Sequence, residues 1–111
     1  MSFKVVPTKD FQRDFKRLFK KYKSLFKEIE KLGEQLTENP AQGTPIGKDC
    51  YKIRMAIASK GQGKSGGSRV ITHVRVVAET VYLLAIYDKS EQGNINDAEI
   101  IERIESIDTQ L

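Results

Sequence analysis

A chain of 111 residues with an ordinary apolar share has material for one domain, residues 1–111, and for no second core. Charged residues make up 31% of it and no apolar run approaches bilayer length, which predicts a soluble, cytoplasmic protein with neither a membrane partner nor a signal peptide. A single cysteine, Cys50, excludes an internal disulfide; with His73 as the one histidine and no carboxylates grouped for metal binding, neither metal nor cofactor is expected.

The net charge of +4 hides an asymmetry: residues 1–27 hold nine basic residues against Asp10 and Asp14, whereas residues 79–111 hold eight acids against Lys89 and Arg103. The N-terminal part favours a polyanion and the C-terminal part does not. A solvated basic helix is the plainer explanation of the first cluster.

In chain order, Phe3–Val6 reads as a short strand stopped by Pro7. Thr8 is placed to cap a helix, with Asp10 in its first turn. Phe11, Phe15, Leu18, Phe19 and Tyr22 recur at helical spacing and are assigned to the core, while Lys16, Lys20, Lys23 and Lys27 lie on another face. Ser24 restarts the chain, and Leu25, Ile29, Leu32 and Leu36 form a second stripe ended by Asn39-Pro40. The short junction predicts an antiparallel helical hairpin. Residues 41–48, rich in Gly and Pro, read as a loop.

Tyr51, Ile53, Met55 and Ile57 then alternate with Lys52 and Arg54, so a strand here puts the apolar set on one face and both cations on the other. A Gly/Ser/Lys loop follows. Arg69–Val77 is the next strand and, if the two pair, brings Arg69 onto the face of Lys52 and Arg54. Thr80–Tyr87 is almost wholly apolar, as suits a central strand covered on both sides. Asn96, with Glu99 three residues on, starts a last helix with Ile100, Ile104, Ile107 and Leu111 as its stripe. The order β-α-α-β-β-β-α, with hairpin-length links between the last three strands, predicts an α+β domain: a helical hairpin packed on a small, mainly antiparallel sheet.

Several motifs fail on context. Gly61-Gln62-Gly63-Lys64-Ser65-Gly66 fits the dinucleotide pattern, but a strand follows where a helix is required. Gly63-Lys64-Ser65 resembles the end of a P-loop, but Ala58 stands where that motif needs glycine. The loop reads either as a flexible hairpin connection or as a flap in which glycine lets the backbone approach a phosphate chain while Lys60 and Lys64 supply charge. His73 and Cys50 have no catalytic partners nearby in sequence and read as structural.

The cations and Tyr87 remain. Cleavage of RNA by its own 2′-hydroxyl needs a base, stabilisation of the phosphorane and an acid for the 5′-oxygen. Crowded cations lower a lysine's pKa, which makes Lys52 a base candidate, while arginine keeps its proton, which makes Arg54 and Arg69 phosphate clamps. Tyr87 and Lys89 are candidates for acid or for orienting the base. The competing reading is an exposed sheet face with ordinary surface charge.

Asp49-Cys50-Tyr51-Lys52-Ile53-Arg54, Ser68-Arg69-Val70-Ile71 and Tyr82–Glu91 resemble the RelE/ParE toxin superfamily, and the long loop from Ser59 to Arg69 is similar to its HigB-like branch. The resemblance covers essentially the whole chain. It implies the toxin of a type II toxin–antitoxin pair that enters the ribosomal A site and cuts mRNA, leaving a 2′,3′-cyclic phosphate. By motif match it places Lys52, Arg54, Arg69 and Lys89 at the family's basic positions. It also implies an antitoxin with a DNA-binding helix-turn-helix. RelE itself has a catalytic tyrosine in its C-terminal segment; residues 94–99 hold none here, which leaves Tyr87 as the substitute. Lys16, Lys20, Lys23, Lys60 and Lys64 are the expected RNA contacts. Two alternatives stay open: a ParE-like inhibitor of DNA gyrase, and a non-catalytic, nucleic-acid-binding toxin that acts only within a repressor complex.

Overall fold

The computed structural model describes residues 2–61 and 66–109; Lys64 and Leu111 lie outside the described residues. Five strands form one sheet in the order β1 (Lys4–Pro7), β5 (Thr80–Asp88), β4 (Ser68–Arg75), β3 (Cys50–Met55), β2 (Thr44–Gly47). β1 runs parallel to β5 and every other pairing is antiparallel. The helices are α1 (Lys9–Phe19), α2 (Leu25–Glu38) and α3 (Asp97–Ile107). The α+β expectation holds, with one strand more than the sequence pattern offered.

That strand is β2, in the stretch read as a loop. Pro45 has no N–H to donate, so a central strand would reject it, but at a sheet edge only one side needs partners. The link to β3 is a tight hairpin in which Lys48 and Asp49 both take positive φ (57° and 58°), the geometry of a two-residue turn that follows the strand twist. A second correction concerns the end of β4. It stops at Arg75, and Val76 and Val77 are exposed in the turn to β5 instead of extending the strand.

Two apolar clusters sit on opposite faces of the sheet. Phe11, Leu18, Leu25, Leu32 and Leu36 from α1 and α2 pack on Ile53, Met55, Val70, Val74, Val81, Leu83 and Ile86. Ile100 and Ile107 from α3, with Ile95, pack on Ile71, Tyr82, Leu84 and Ala85. β5 is buried along its full length, as its unbroken apolar run requires. A bulge makes this possible: Ile71 pairs with Ala85 but Thr72 pairs with Leu83, so Leu84 is an extra residue and the inward pattern of β5 changes phase there.

The helix ends follow the sequence. Thr8 accepts from the Phe11 N–H at 3.1 Å and donates to the Leu83 carbonyl at 3.0 Å, which pins the start of α1 to the sheet. Asn96 caps α3 by accepting from the Glu99 N–H at 2.8 Å. The aromatic stripe of α1 is only partly core: Phe11 is buried, but Phe11, Phe15 and Phe19 stack in succession toward the surface, where Phe26 meets Phe19 edge-on while 57% exposed.

Arg103 joins α3 to α1. It is buried, and its guanidinium donates to Asp14 (2.7 Å), Glu99 (2.7 Å) and the Leu84 carbonyl (2.8 Å). The last bond satisfies a β5 carbonyl beyond the end of β1, where no strand partner remains.

Candidate active site

α3 covers one end of its sheet face. At the other end, register decides what meets. Arg54 of β3 stands directly opposite Arg69 of β4, and Arg69 directly opposite Tyr87 of β5. Directly paired residues point to the same face, so these three side chains form one row. Lys52 lies in the adjacent row, opposite Ile71. Placing two arginines face to face across a strand pair is unfavourable unless something negative relieves the repulsion. Among the described residues Arg54 makes no ion pair and is exposed. Arg69 is 4% exposed and donates to the Ser68 carbonyl at 3.1 Å, which makes it the floor of the row.

Tyr87 is buried, at 3% exposed. Burial pushes its pKa above the usual phenol value, opposed by the positive charge of Arg69. It is therefore a neutral phenol with a proton to give at physiological pH. The hydroxyl donates to Asn94 Oδ1 over a long 3.5 Å, and Lys52 Nζ donates to that same oxygen at 3.0 Å. Asn94 is a site residue that the sequence did not flag. A Gly-Asn pair between a strand and a helix reads as turn chemistry, and only the tertiary fold sets it over Lys52, 42 positions away.

The remaining sequence-predicted residues divide. Lys89 is exposed one position past β5, and its backbone N–H donates to Gly67. Lys16, Lys20 and Lys23 are exposed on and just after α1, with the Lys23 ammonium 4.6 Å from the Phe19 ring centre. They belong to a surface separate from the arginine row, since α1 packs on the opposite sheet face. Lys60, expected as a mobile loop cation, is held inside the fold. Its ammonium donates to Asp88 at 2.9 Å and to Ser90 at 3.0 Å, and it lies 5.7 Å from the Tyr22 ring centre. Burial works to raise the Asp88 carboxyl, but hydrogen bonds from Lys60, Ser90 and Tyr22 outweigh it and hold the pKa down at about 2. The carboxylate in turn raises Lys60, chiefly through that hydrogen bond.

Lys60 belongs to a single 3-10 turn, Ala58–Lys60, that docks on the α1–α2 junction: the Ala58 N–H donates to Glu28 at 2.8 Å, and Ser59 and Ser24 share a 2.7 Å hydroxyl contact. On the return side, a Cβ on Gly67 would come within 2.5 Å of the Met55 carbonyl, so only glycine lets the chain pass there. Both ends of the basic loop are thus fixed.

His73 and Cys50 are structural. A carbonyl only accepts and a guanidinium only donates, so the Lys48 carbonyl 3.0 Å from Nδ1 and Arg75 Nε 3.4 Å from Nε2 define a neutral imidazole protonated at Nδ1. Burial, then Arg75, lowers its pKa. Burial raises the Cys50 thiol to about 11, so it is no nucleophile. Among the described residues no cluster of His, Cys, Asp or Glu is placed to hold a metal ion, and no helix is long and apolar enough to cross a membrane.

A family model described as the RelE toxin of the RelE/RelB toxin–antitoxin system matches residues 3–109. Among solved structures, a double arginine-to-alanine mutant of E. coli toxin RelE in the free state aligns with a TM-score of 0.64 at 16% identity, covering 96% of this chain and 99% of that one. The isolated E. coli RelE toxin aligns at 0.60 and 17%, covering 93% and 99%. A metal-bound toxin from Helicobacter pylori aligns more loosely, at 0.42 and 16%, covering 81% and 98%.

Proposed function

The chain belongs to the RelE toxin family of toxin–antitoxin systems, whose members pair with an antitoxin, and from that premise we propose that it is a ribosome-dependent endoribonuclease that cuts mRNA in the A site. The observation that carries this reading is the row Arg54–Arg69–Tyr87 with Lys52 beside it. It is a compact set of donors, two of them permanently charged, in which Arg54 is exposed and Arg69 and Tyr87 are buried behind it.

The chemistry follows from the side chains. Arg69 and Arg54 hold the non-bridging oxygens of the scissile phosphate, and their charge stabilises the phosphorane. Lys52, reacting as its neutral amine, takes the proton of the 2′-hydroxyl as that oxygen bonds to phosphorus and becomes an ammonium. The P–O5′ bond then breaks, and Tyr87 protonates the leaving 5′-oxygen. The products are a 2′,3′-cyclic phosphate and a 5′-hydroxyl. No redox step and no external nucleophile is involved.

Induced expression followed by primer extension on a reporter mRNA tests the proposal. New 5′ ends within translated codons are expected, and Arg69→Ala should abolish them. Wild-type expression without new ends would overturn the reading. Inhibition of gyrase supercoiling by purified protein would point to a ParE-like activity, which has no need of the arginine row.

A further inference from the structure

Asn94 brings two reactive groups of the site to one point. Its Oδ1 accepts from Lys52 on β3 and from Tyr87 on β5, strands separated by β4. The backbone there is firmly placed. Ile95, next in the chain, is 4% exposed within the α3-side cluster, and the Gln92 side chain donates to the Asn94 carbonyl at 2.8 Å. Capping of α3 falls to Asn96, so the Asn94 amide has no part in holding that helix. An exposed asparagine is thus fixed at its backbone and aimed inward at its side chain.

We infer that Asn94 is a positioning residue that orients the Lys52 amine and the Tyr87 hydroxyl toward the scissile phosphate. This inference rests on the endoribonuclease reading above. An acceptor that holds one N–H of Lys52 directs the remaining valences of that nitrogen, including the lone pair that takes up the 2′-hydroxyl proton. The Tyr87 hydroxyl is held by the same oxygen until the leaving 5′-oxygen competes for its proton. A carboxylate in this place would also favour the charged lysine and the neutral phenol; the neutral amide gives the geometry without the charge. Among the described residues, the charged and titratable groups that the strand register sets on this face are Lys52 and Arg54 from β3, Arg69 from β4 and Tyr87 from β5.

The test uses purified ribosomes programmed with mRNA, a saturating amount of the full-length protein, and single-turnover cleavage from pH 6 to 10. Asn94→Ala should lower the cleavage rate by about 10- to 100-fold, while affinity for ribosomes carrying mRNA with a 2′-deoxy substitution at the cut site changes by less than about threefold. Asn94→Asp keeps the acceptor but favours the charged lysine and the neutral phenol, so it should recover the rate at high pH and move both limbs of the profile to higher pH. Thermal unfolding of both variants should match wild type. If Asn94→Ala cleaves at the wild-type rate and the Asn94→Asp profile overlays that of wild type, the inference fails while the endoribonuclease reading stands. If wild type does not cleave, the reading beneath it fails instead.

Discussion

Lys52 and Lys60 lie eight positions apart on opposite sides of one sheet, and their surroundings could hardly differ more. Lys60 is covered, and its charge is matched by a fully buried carboxylate with further donors from Ser90 and Tyr22. Among the described residues Lys52 has a single neutral acceptor, and it shares its face with two arginines. The first region has balanced its charge internally and so contributes to folding. The second sets like charges side by side, Arg54 directly opposite Arg69 with Lys52 in the next row, an arrangement that suits an anionic ligand. A lysine in a glycine-rich loop and a lysine on a strand look alike in sequence; what separates them is whether a carboxylate waits at the other end.

This contrast can be broken at either end. The largest effect is expected from Arg69→Ala, which should reduce cleavage by about 100- to 1,000-fold, the usual loss when one preorganised stabiliser of transition-state charge is removed. Single-turnover cleavage on programmed ribosomes reads it. A change below tenfold would mean that the arginine row is not the reactive centre.

On the other face, Lys60→Met leaves Asp88 without its cation and should lower the midpoint of urea unfolding, with little change in cleavage by the folded fraction. A loss of cleavage without a loss of stability would return Lys60 to the RNA-binding surface.

Acid should dissolve the same pair. The Asp88 carboxyl titrates at about 2 in the folded chain against an ordinary value of 3.8, so between these pH values the unfolded state binds more protons. The stabilisation is complete above about pH 4 and is lost as pH falls through 2, about 2 kcal/mol in all. Asp88→Asn should flatten that part of the stability–pH curve, and an unchanged slope would show that other carboxylates govern acid unfolding.

The smallest effect belongs to α1. Replacing Lys16, Lys20 and Lys23 together by Gln should leave stability within about 0.5 kcal/mol. It should also lower the log–log salt slope of ribosome binding by no more than about one unit per lysine. An unchanged slope would remove that surface from the RNA path.

Much of the fold was legible because local physics dictates it. The caps at Thr8 and Asn96, the stripes of α2 and of α3 as far as Ile107, and the alternation around Lys52 and Arg54 are short-range signals that survive folding, whereas the aromatic stripe of α1 is buried only at Phe11 and Leu18. Thr44–Gly47 was not legible as a strand, because a proline is tolerable there only once β3 has made the position an edge. The bulge at Leu84 was hidden for a similar reason: an unbroken apolar run carries no phase to mark it.

The sequence by itself determined the kinds of group available for the chemistry: basic strand residues, a tyrosine near a strand end, and neither a usable thiol nor a free histidine. The tertiary structure alone decided their company. Register set Arg54, Arg69 and Tyr87 in one row, chain reversal brought Asn94 over Lys52, and the docked 3-10 turn gave Lys60 to Asp88. Pairings across 28 or 42 positions depend on how strands align and where loops return, and no local pattern encodes that.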